Sequence, residues 1–202
     1  MTAKHHLVLV TDPMCSWCWG MADEFEKARV TLADQVTFDL MLGGINTHGT
    51  QPIGNYGRRF LLKLWREVQA TTQQTFGFCL PDEYVHNSVL PCMAIEVMRI
   101  EQDAAPFDYL YTLQAQFFRD GKNINDIELL ADVAEDFGVD RQRFKKQVRE
   151  PVIQARVRFQ FDHAKSFGTQ ALPSLLIERE QKLQLFAGGY VDAAMLTQLL
   201  MR

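Results

Sequence analysis

Cys15 and Cys18, with Ser16 and Trp17 between them, are the residues of this sequence whose type and spacing can do chemistry. They follow the apolar run Leu7-Val8-Leu9-Val10 and the turn-forming Asp12-Pro13, and they open a stretch with helical spacing. A thiol at a helix N-terminus faces unpaired backbone N–H groups and the positive end of the helix dipole, both of which favour thiolate. Such cysteines have pKa values of about 3.5 to 7.5, against about 8.5 when free. The thiolate is the nucleophile of disulfide exchange, and a second cysteine one helical turn on can attack the mixed disulfide and release the partner. The pattern assigns Cys15 as the attacking thiol, exposed, and Cys18 as the resolving thiol, pointing back under the helix. No metal or organic cofactor is needed for this exchange.

A Cys-x-x-Cys is also half of a zinc site, and the chain has four cysteines. Cys79 and Cys92 are too far apart in sequence to form the second half, and His5, His6, His48, His86 and His163 supply no His-x-x-x-His partner. Buried thiols with only a packing role have no reason to cluster at a helix start between tryptophans. Trp17 and Trp19 offer an aromatic surround suited to apolar segments of a partner; core packing explains Trp19 equally well. Cys79 and Cys92 are expected to pack among the helices further along, with Cys92 facing the groove as a second option.

The elements that must position this pair can be read in order. Residues 5–11 form a buried strand, residues 16–33 an amphipathic helix, and Val36, Phe38, Leu40 and Leu42 a second strand stopped by Gly43-Gly44. Strand, helix and strand so close together make a βαβ unit. Roughly a hundred residues without a strand follow. Helices are predicted over 58–71, from the Asn87-Ser88 cap to about Gln102, from Pro106 to Phe118, over 126–137, and from Asp140 onward, divided or kinked at Pro151. The stretch 142–167 is basic, and a solvated helix face explains that better than an anion site in an acidic chain. Gly168 to Pro173 is a loop, Ser174–Glu178 and Leu183–Phe186 a hairpin turning at Glu180-Gln181-Lys182, and the segment after Gly188-Gly189 a final helix.

Composition narrows the function classes. At 202 residues and 47% hydrophobic, the chain can bury one sizeable core. A net charge of −4 gives no general attraction to nucleic acid, and no apolar run approaches a membrane span. Met1 to His6 leads directly into a strand without an apolar leader, so a cytoplasmic protein is expected, its cysteines serving chemistry and not a structural disulfide framework.

A βαβ unit bearing Cys-x-x-Cys, followed by a ββα unit opening on a proline, resembles the thioredoxin fold. The long helical insert resembles the DsbA-like branch of that superfamily. The likeness is carried by Asp12-Pro13-Met14-Cys15-Ser16-Trp17-Cys18, Gly43-Gly44-Ile45, residues 117–124, and Gly168-Thr169-Gln170-Ala171-Leu172-Pro173-Ser174. It implies an α/β chain in three parts: a thioredoxin-like N-terminal half over residues 1–50, an inserted helical subdomain over 51–148, and a C-terminal half over 149–202. It further implies that Leu172 and a cis Pro173 sit against Cys15. Leu172 would then offer backbone hydrogen bonds to a substrate strand, and Pro173 would keep a metal from bridging the thiols. Ser16 and Trp17 complete the expected substrate-binding set.

The implied function is a thiol–disulfide oxidoreductase acting as oxidase, reductase or isomerase. Its partners would be protein or peptide thiols and disulfides, with glutathione among the small thiols that fit. The chain departs from well-studied members in its Ser16-Trp17 dipeptide, and Asp12 is the nearest match to a buried carboxylate near the thiols. Two other readings stand beside this one. One is a glutathione-dependent isomerase or transferase of the related kappa-class type, although those carry serine where Cys15 stands. The other is a non-catalytic peptide-binding or chaperone-like module using the surface near Trp17 and Trp19.

Overall fold

A computed structural model describes residues 5–200; the first four residues, part of the segment behind the cytoplasmic expectation, and the last two lie outside it. The order of elements is β1 (His5–Thr11), α1 (Ser16–Thr31), β2 (Val36–Leu42), α2 (Asn55–Thr72), α3 (Val89–Gln102), α4 (Phe107–Phe118), α5 (Ile127–Asp136), α6 (Arg141–Val148), α7 (Pro151–Ser166), β3 (Ser174–Arg179), β4 (Lys182–Gly188) and α8 (Ala193–Leu200). The sheet order is β2-β1-β3-β4. β1 runs parallel to β2 from His5 opposite Val36 to Thr11 opposite Leu42, and antiparallel to β3 from Leu7 opposite Ile177 to Val10 opposite Ser174.

The Leu7–Val10 stretch of β1 is apolar because both of its faces are covered. Leu7 and Leu9 point into the main core with Leu175 and Ile177, while Val8, Val10 and Leu176 pack with Ala164 of α7 on the opposite face. α1 packs against α2, α4 and α8, and α7 against β2 and α3. The main core runs on without a break from the sheet into α2–α6 through an aromatic group. Trp65, fully buried, meets Phe76, Phe117 and Phe118 at centroid distances of 5.2–5.7 Å, and Trp19 of α1 stacks on Phe118 at 6.3 Å. Trp19 also donates through its indole N–H to the Thr75 carbonyl (3.0 Å), so it is a core residue with a satisfied polar edge.

Caps place the helix boundaries close to the predicted ones. Asp126 and Asp140 accept from Glu128 N and Arg143 N, and Pro151 stands at the first position of α7, where a missing N–H costs nothing. The basic stretch is thus divided into two helices and not kinked. Two expectations change. The hairpin turns on Glu180 and Gln181 alone, both at positive φ, and Lys182 already belongs to β4. Ser88 stands at the N-cap position of α3 but makes no side-chain cap bond, because its hydroxyl is engaged elsewhere.

Candidate active site

The end of β1 is shaped into a tight turn by Asp12. Its backbone carbonyl accepts from Cys15 N (3.2 Å) and from the Gln114 amide (3.2 Å), and its carboxylate accepts from Met14 N (2.8 Å). This turn delivers Cys15 to the N-cap of α1 in an extended conformation, φ −84° and ψ 113°. Its sulfur accepts from Cys18 N at 3.3 Å, the arrangement in which a helix start meets negative charge. The Cys15 thiol in turn donates to the Leu172 carbonyl at 3.5 Å. All four cysteines are free thiols. Burial, and then the neighbouring Cys15, push the Cys18 thiol well above its ordinary range, so Cys18 is a protonated thiol at neutral pH.

Across from the thiols lies the loop leading to β3. The Leu172–Pro173 peptide bond is cis. The loop is held by Ala171 N donating to Thr169 Oγ1 (3.0 Å), Ser174 Oγ donating to the Ala171 carbonyl (2.6 Å), and Gly189 N donating to the Pro173 carbonyl (2.8 Å). Gly43 lets Leu172 close on the end of β2: a Cβ there would lie 2.6 Å from Leu172 Cδ2. Gly44, at φ +74°, is required for its conformation and for contact, since a Cβ would stand 2.8 Å from the Phe161 ring.

Several expectations need correction. Cys15 is not an exposed thiol; it retains 7% of its accessible surface, hardly more than the 5% of Cys18, because Leu172 and the turn cover it. Ser16, expected with Trp17 in the substrate-binding set, is buried, and Trp17 is half-buried against the core. Cys79 is exposed and does not pack within the helices. Cys92 is fully buried in α3 and faces a carboxylate, with its thiol donating to Asp12 Oδ2 at 3.6 Å.

That carboxylate belongs to a network the sequence did not reveal. Asp12 is completely buried, and burial raises its pKa to about 6, opposed by hydrogen bonds from Ser88, Met14 and Cys92. Ser88 Oγ donates to Asp12 Oδ2 at 2.6 Å while accepting from Ile45 N at 2.8 Å, which ties the thiol turn, the loop after β2 and the start of α3 together. Ser88 and Asp12 are 76 residues apart, and the only local signal at Asn87-Ser88 was that of a helix cap. Among the described residues, no group of three His, Cys, Asp or Glu is arranged to hold a metal, and no helix is long and apolar enough to cross a membrane.

The chain and its fold have counterparts among known proteins. A family model described as Thioredoxin matches residues 9–186. The structure superposes with a TM-score of 0.89 on a Nitrosomonas europaea protein proposed to be a protein disulfide isomerase, at 27% identity over 98% of this chain and 97% of that one. The cytosolic disulfide reductase DsbM of Pseudomonas aeruginosa gives a TM-score of 0.77 at 21% identity, covering 98% of this chain and all of the other, and its structure with GSH is similarly close. Among curated proteins, the ClpXP adapter protein SpxH of Halalkalibacterium halodurans is 21% identical over 82% of this chain. The chain spans about half the length of the curated relatives it matches, 56% of that protein and 48% of SpxH of Bacillus subtilis.

Proposed function

The chain belongs to the thioredoxin family, and from that premise we propose that it is a thiol–disulfide oxidoreductase of the DsbA-like branch, with its helical insertion, working through Cys15 and Cys18. The observation that carries this reading is the position of Cys15 Sγ. It caps α1, receives the Cys18 N–H at 3.3 Å, and lies 3.5 Å from the Leu172 carbonyl on the opposing loop. In the reduced protein the Cys15 sulfur, as thiolate, attacks one sulfur of a substrate disulfide. The Cys15–substrate bond forms, the substrate S–S bond breaks, and the departing sulfur takes up a proton. Cys18 then loses its proton and attacks Cys15 Sγ, which closes the Cys15–Cys18 disulfide and releases the second substrate thiol. The substrate gains two electrons and the protein loses two; the reverse sequence oxidises a dithiol.

The backbone of Leu172 bounds the place a substrate must enter, and Pro173 sits buried behind it. The substrates are protein or peptide disulfides and small thiols. Glutathione is included because the P. aeruginosa reductase is known with GSH bound. The same neighbour favours the reducing direction in a cytoplasmic setting. A redox titration in glutathione buffers tests the direction: a potential near about −270 mV fits a reductase, and one near about −120 mV fits an oxidant.

The roles of the two thiols are tested by trapping. Cys18→Ser incubated with substrate disulfides should accumulate a mixed disulfide through Cys15, and Cys15→Ser should accumulate none. An adduct of equal yield in Cys15→Ser would overturn the assignment. A second reading, a non-catalytic adapter, is favoured by the name of the curated relatives. It requires partner binding that persists in a Cys15→Ser, Cys18→Ser double variant.

A further inference from the structure

Two cavities lie along the α7 side of the sheet, the first against Leu172, whose carbonyl faces Cys15. The first, about 240 Å³, is bounded by Leu172, Gly43, Gly44 and Lys165. The second, about 420 Å³, is bounded by His48, Asn87, Arg158, Phe161, Asp162 and again Lys165. They adjoin at Lys165, which lines both, and the Phe161 ring of the second packs under Gly44 of the first. Gln154, Arg158, Asp162 and Lys165 recur at helical spacing, so one face of α7 forms the wall of the cleft.

The charge of this wall runs against the charge of the chain. The protein carries −4 overall, yet the cleft presents Arg158 and Lys165 against a single acid, Asp162. Asp162 Oδ1 stands 3.9 Å from Lys165 Nζ, with both side chains mostly in solvent, so it neutralises little of that charge. Arg158 and His48 take part in no ion pair among the described residues. His48 sits in the loop after β2, which is braced by Asn87 donating to the Gly49 carbonyl (2.8 Å), so the wall opposite α7 is held in place.

Length then separates two kinds of substrate. Arg158 and Lys165 are seven residues apart on a helix, about 10 Å along its axis. An extended peptide rises about 3.3 Å per residue, so about three residues separate the two positions. Leu172 and Lys165 line the first cavity and Arg158 only the second, so a short peptide with its cysteine at Leu172 has the first cavity alone within reach. A longer chain continues to Arg158.

We propose that this cleft binds an acidic segment of a cysteine-containing polypeptide, with one carboxylate beside the reacting cysteine held by Lys165 and another about three residues further on held by Arg158. The inference rests on the thiol–disulfide reading above and names its substrate class: acidic polypeptide disulfides, favoured over basic ones.

The test uses two ten-residue peptides, each with one central cysteine as a mixed disulfide with 2-mercaptoethanol, flanked on both sides by glutamates or by lysines in an otherwise neutral sequence. Single-turnover rates with the reduced protein are divided by the rate with bis(2-hydroxyethyl) disulfide, so that lost folding or thiol reactivity cancels. The glutamate peptide should react about tenfold faster than the lysine peptide at low ionic strength, the preference shrinking at high salt. Arg158→Glu with Lys165→Glu should abolish or invert it. Equal rates for the two peptides, or a preference that survives the double substitution, would overturn the proposal. Anisotropy with the same peptides carrying serine for cysteine reads the cleft alone. Glutamate-selective binding lost in the double variant supports the cleft even where no disulfide reacts, the outcome that would sink the oxidoreductase reading instead. Absence of such selectivity sinks the cleft.

Discussion

Cys15 and Cys92 are both buried thiols, and each points at a polar group, but the groups are of opposite kind. At the start of α1 the Cys15 sulfur receives a backbone N–H from Cys18 at 3.3 Å. In α3 the Cys92 sulfur faces the Asp12 carboxylate at 3.6 Å, and burial followed by that carboxylate pushes its thiol well above the ordinary range. The difference teaches that burial alone does not decide what a cysteine does. The surroundings differ: a backbone N–H and a neutral carbonyl around Cys15, a carboxylate beside Cys92. Asp12 joins the two regions: its backbone carbonyl positions Cys15 while its carboxylate holds Cys92 as a neutral thiol.

The largest expected effect comes from removing the thiol that faces the donor. Cys15→Ser should lower disulfide exchange by about 10³-fold or more, as loss of a nucleophile does. Cys92→Ala should leave the exchange rate within about twofold and cost stability alone, about 1 kcal/mol for a small buried side chain. Timed alkylation with peptide mapping checks the same contrast without mutation: Cys15 should label well before Cys92. Equal labelling would break the comparison.

The next effect concerns the carboxylate itself. Asp12 holds its proton up to about 6 in the folded protein against an ordinary 3.8, so the folded state binds more protons than the unfolded state between those values. Its contribution is therefore most favourable below about pH 4 and is lost as pH rises through 6, a difference of about 3 kcal/mol. His86 has the opposite sign. Burial lowers it to about 4 from 6.5, so its contribution is present above about pH 6.5 and is lost as pH falls toward 4. The His86 shift is of similar size, but its ring is partly exposed, so solvent screens part of its contribution. Over pH 4–6 the two slopes oppose each other. Denaturant melts should show stability rising with pH in Asp12→Asn and falling more steeply in His86→Gln than in the wild type. Parallel profiles in all three proteins would remove Asp12 from the network.

Local pattern made the strands, the helices and the placing of Cys15 and Cys18 at a helix start legible, because apolar periodicity and a Cys-x-x-Cys at a strand-to-helix junction are short-range signals. The Leu172-Pro173 loop was legible only through resemblance; nothing in the order of residues says that it meets Cys15 across 157 positions. The exposure of Cys15 was misjudged for the same reason, since the residue that covers it is far away in sequence. Ser88 shows the limit most plainly. A serine before a helix reads as a cap, and here its hydroxyl turns away from the helix to a carboxylate on β1's far end, a choice that only tertiary packing dictates.

Ser88 also gives the smallest prediction and the one that sharpens the comparison most. Its hydroxyl serves two partners, donating to Asp12 Oδ2 and accepting from Ile45 N. In Ser88→Ala both lose a bond, but they do not lose it equally at every pH. The Ile45 N–H is left unpaired under all conditions, which costs about 1 kcal/mol. The bond to Asp12 is strongest when that carboxylate is ionised, so its loss adds about another 1 kcal/mol only above the Asp12 titration. Denaturant unfolding should therefore find Ser88→Ala costing about twice as much at pH 8 as at pH 4, and the pH-dependent half should vanish in an Asp12→Asn background. A cost independent of pH would mean that Ser88 serves the loop after β2 alone. The turn that presents Cys15 would then be held without help from α3, and the two buried thiols would not be linked through Asp12.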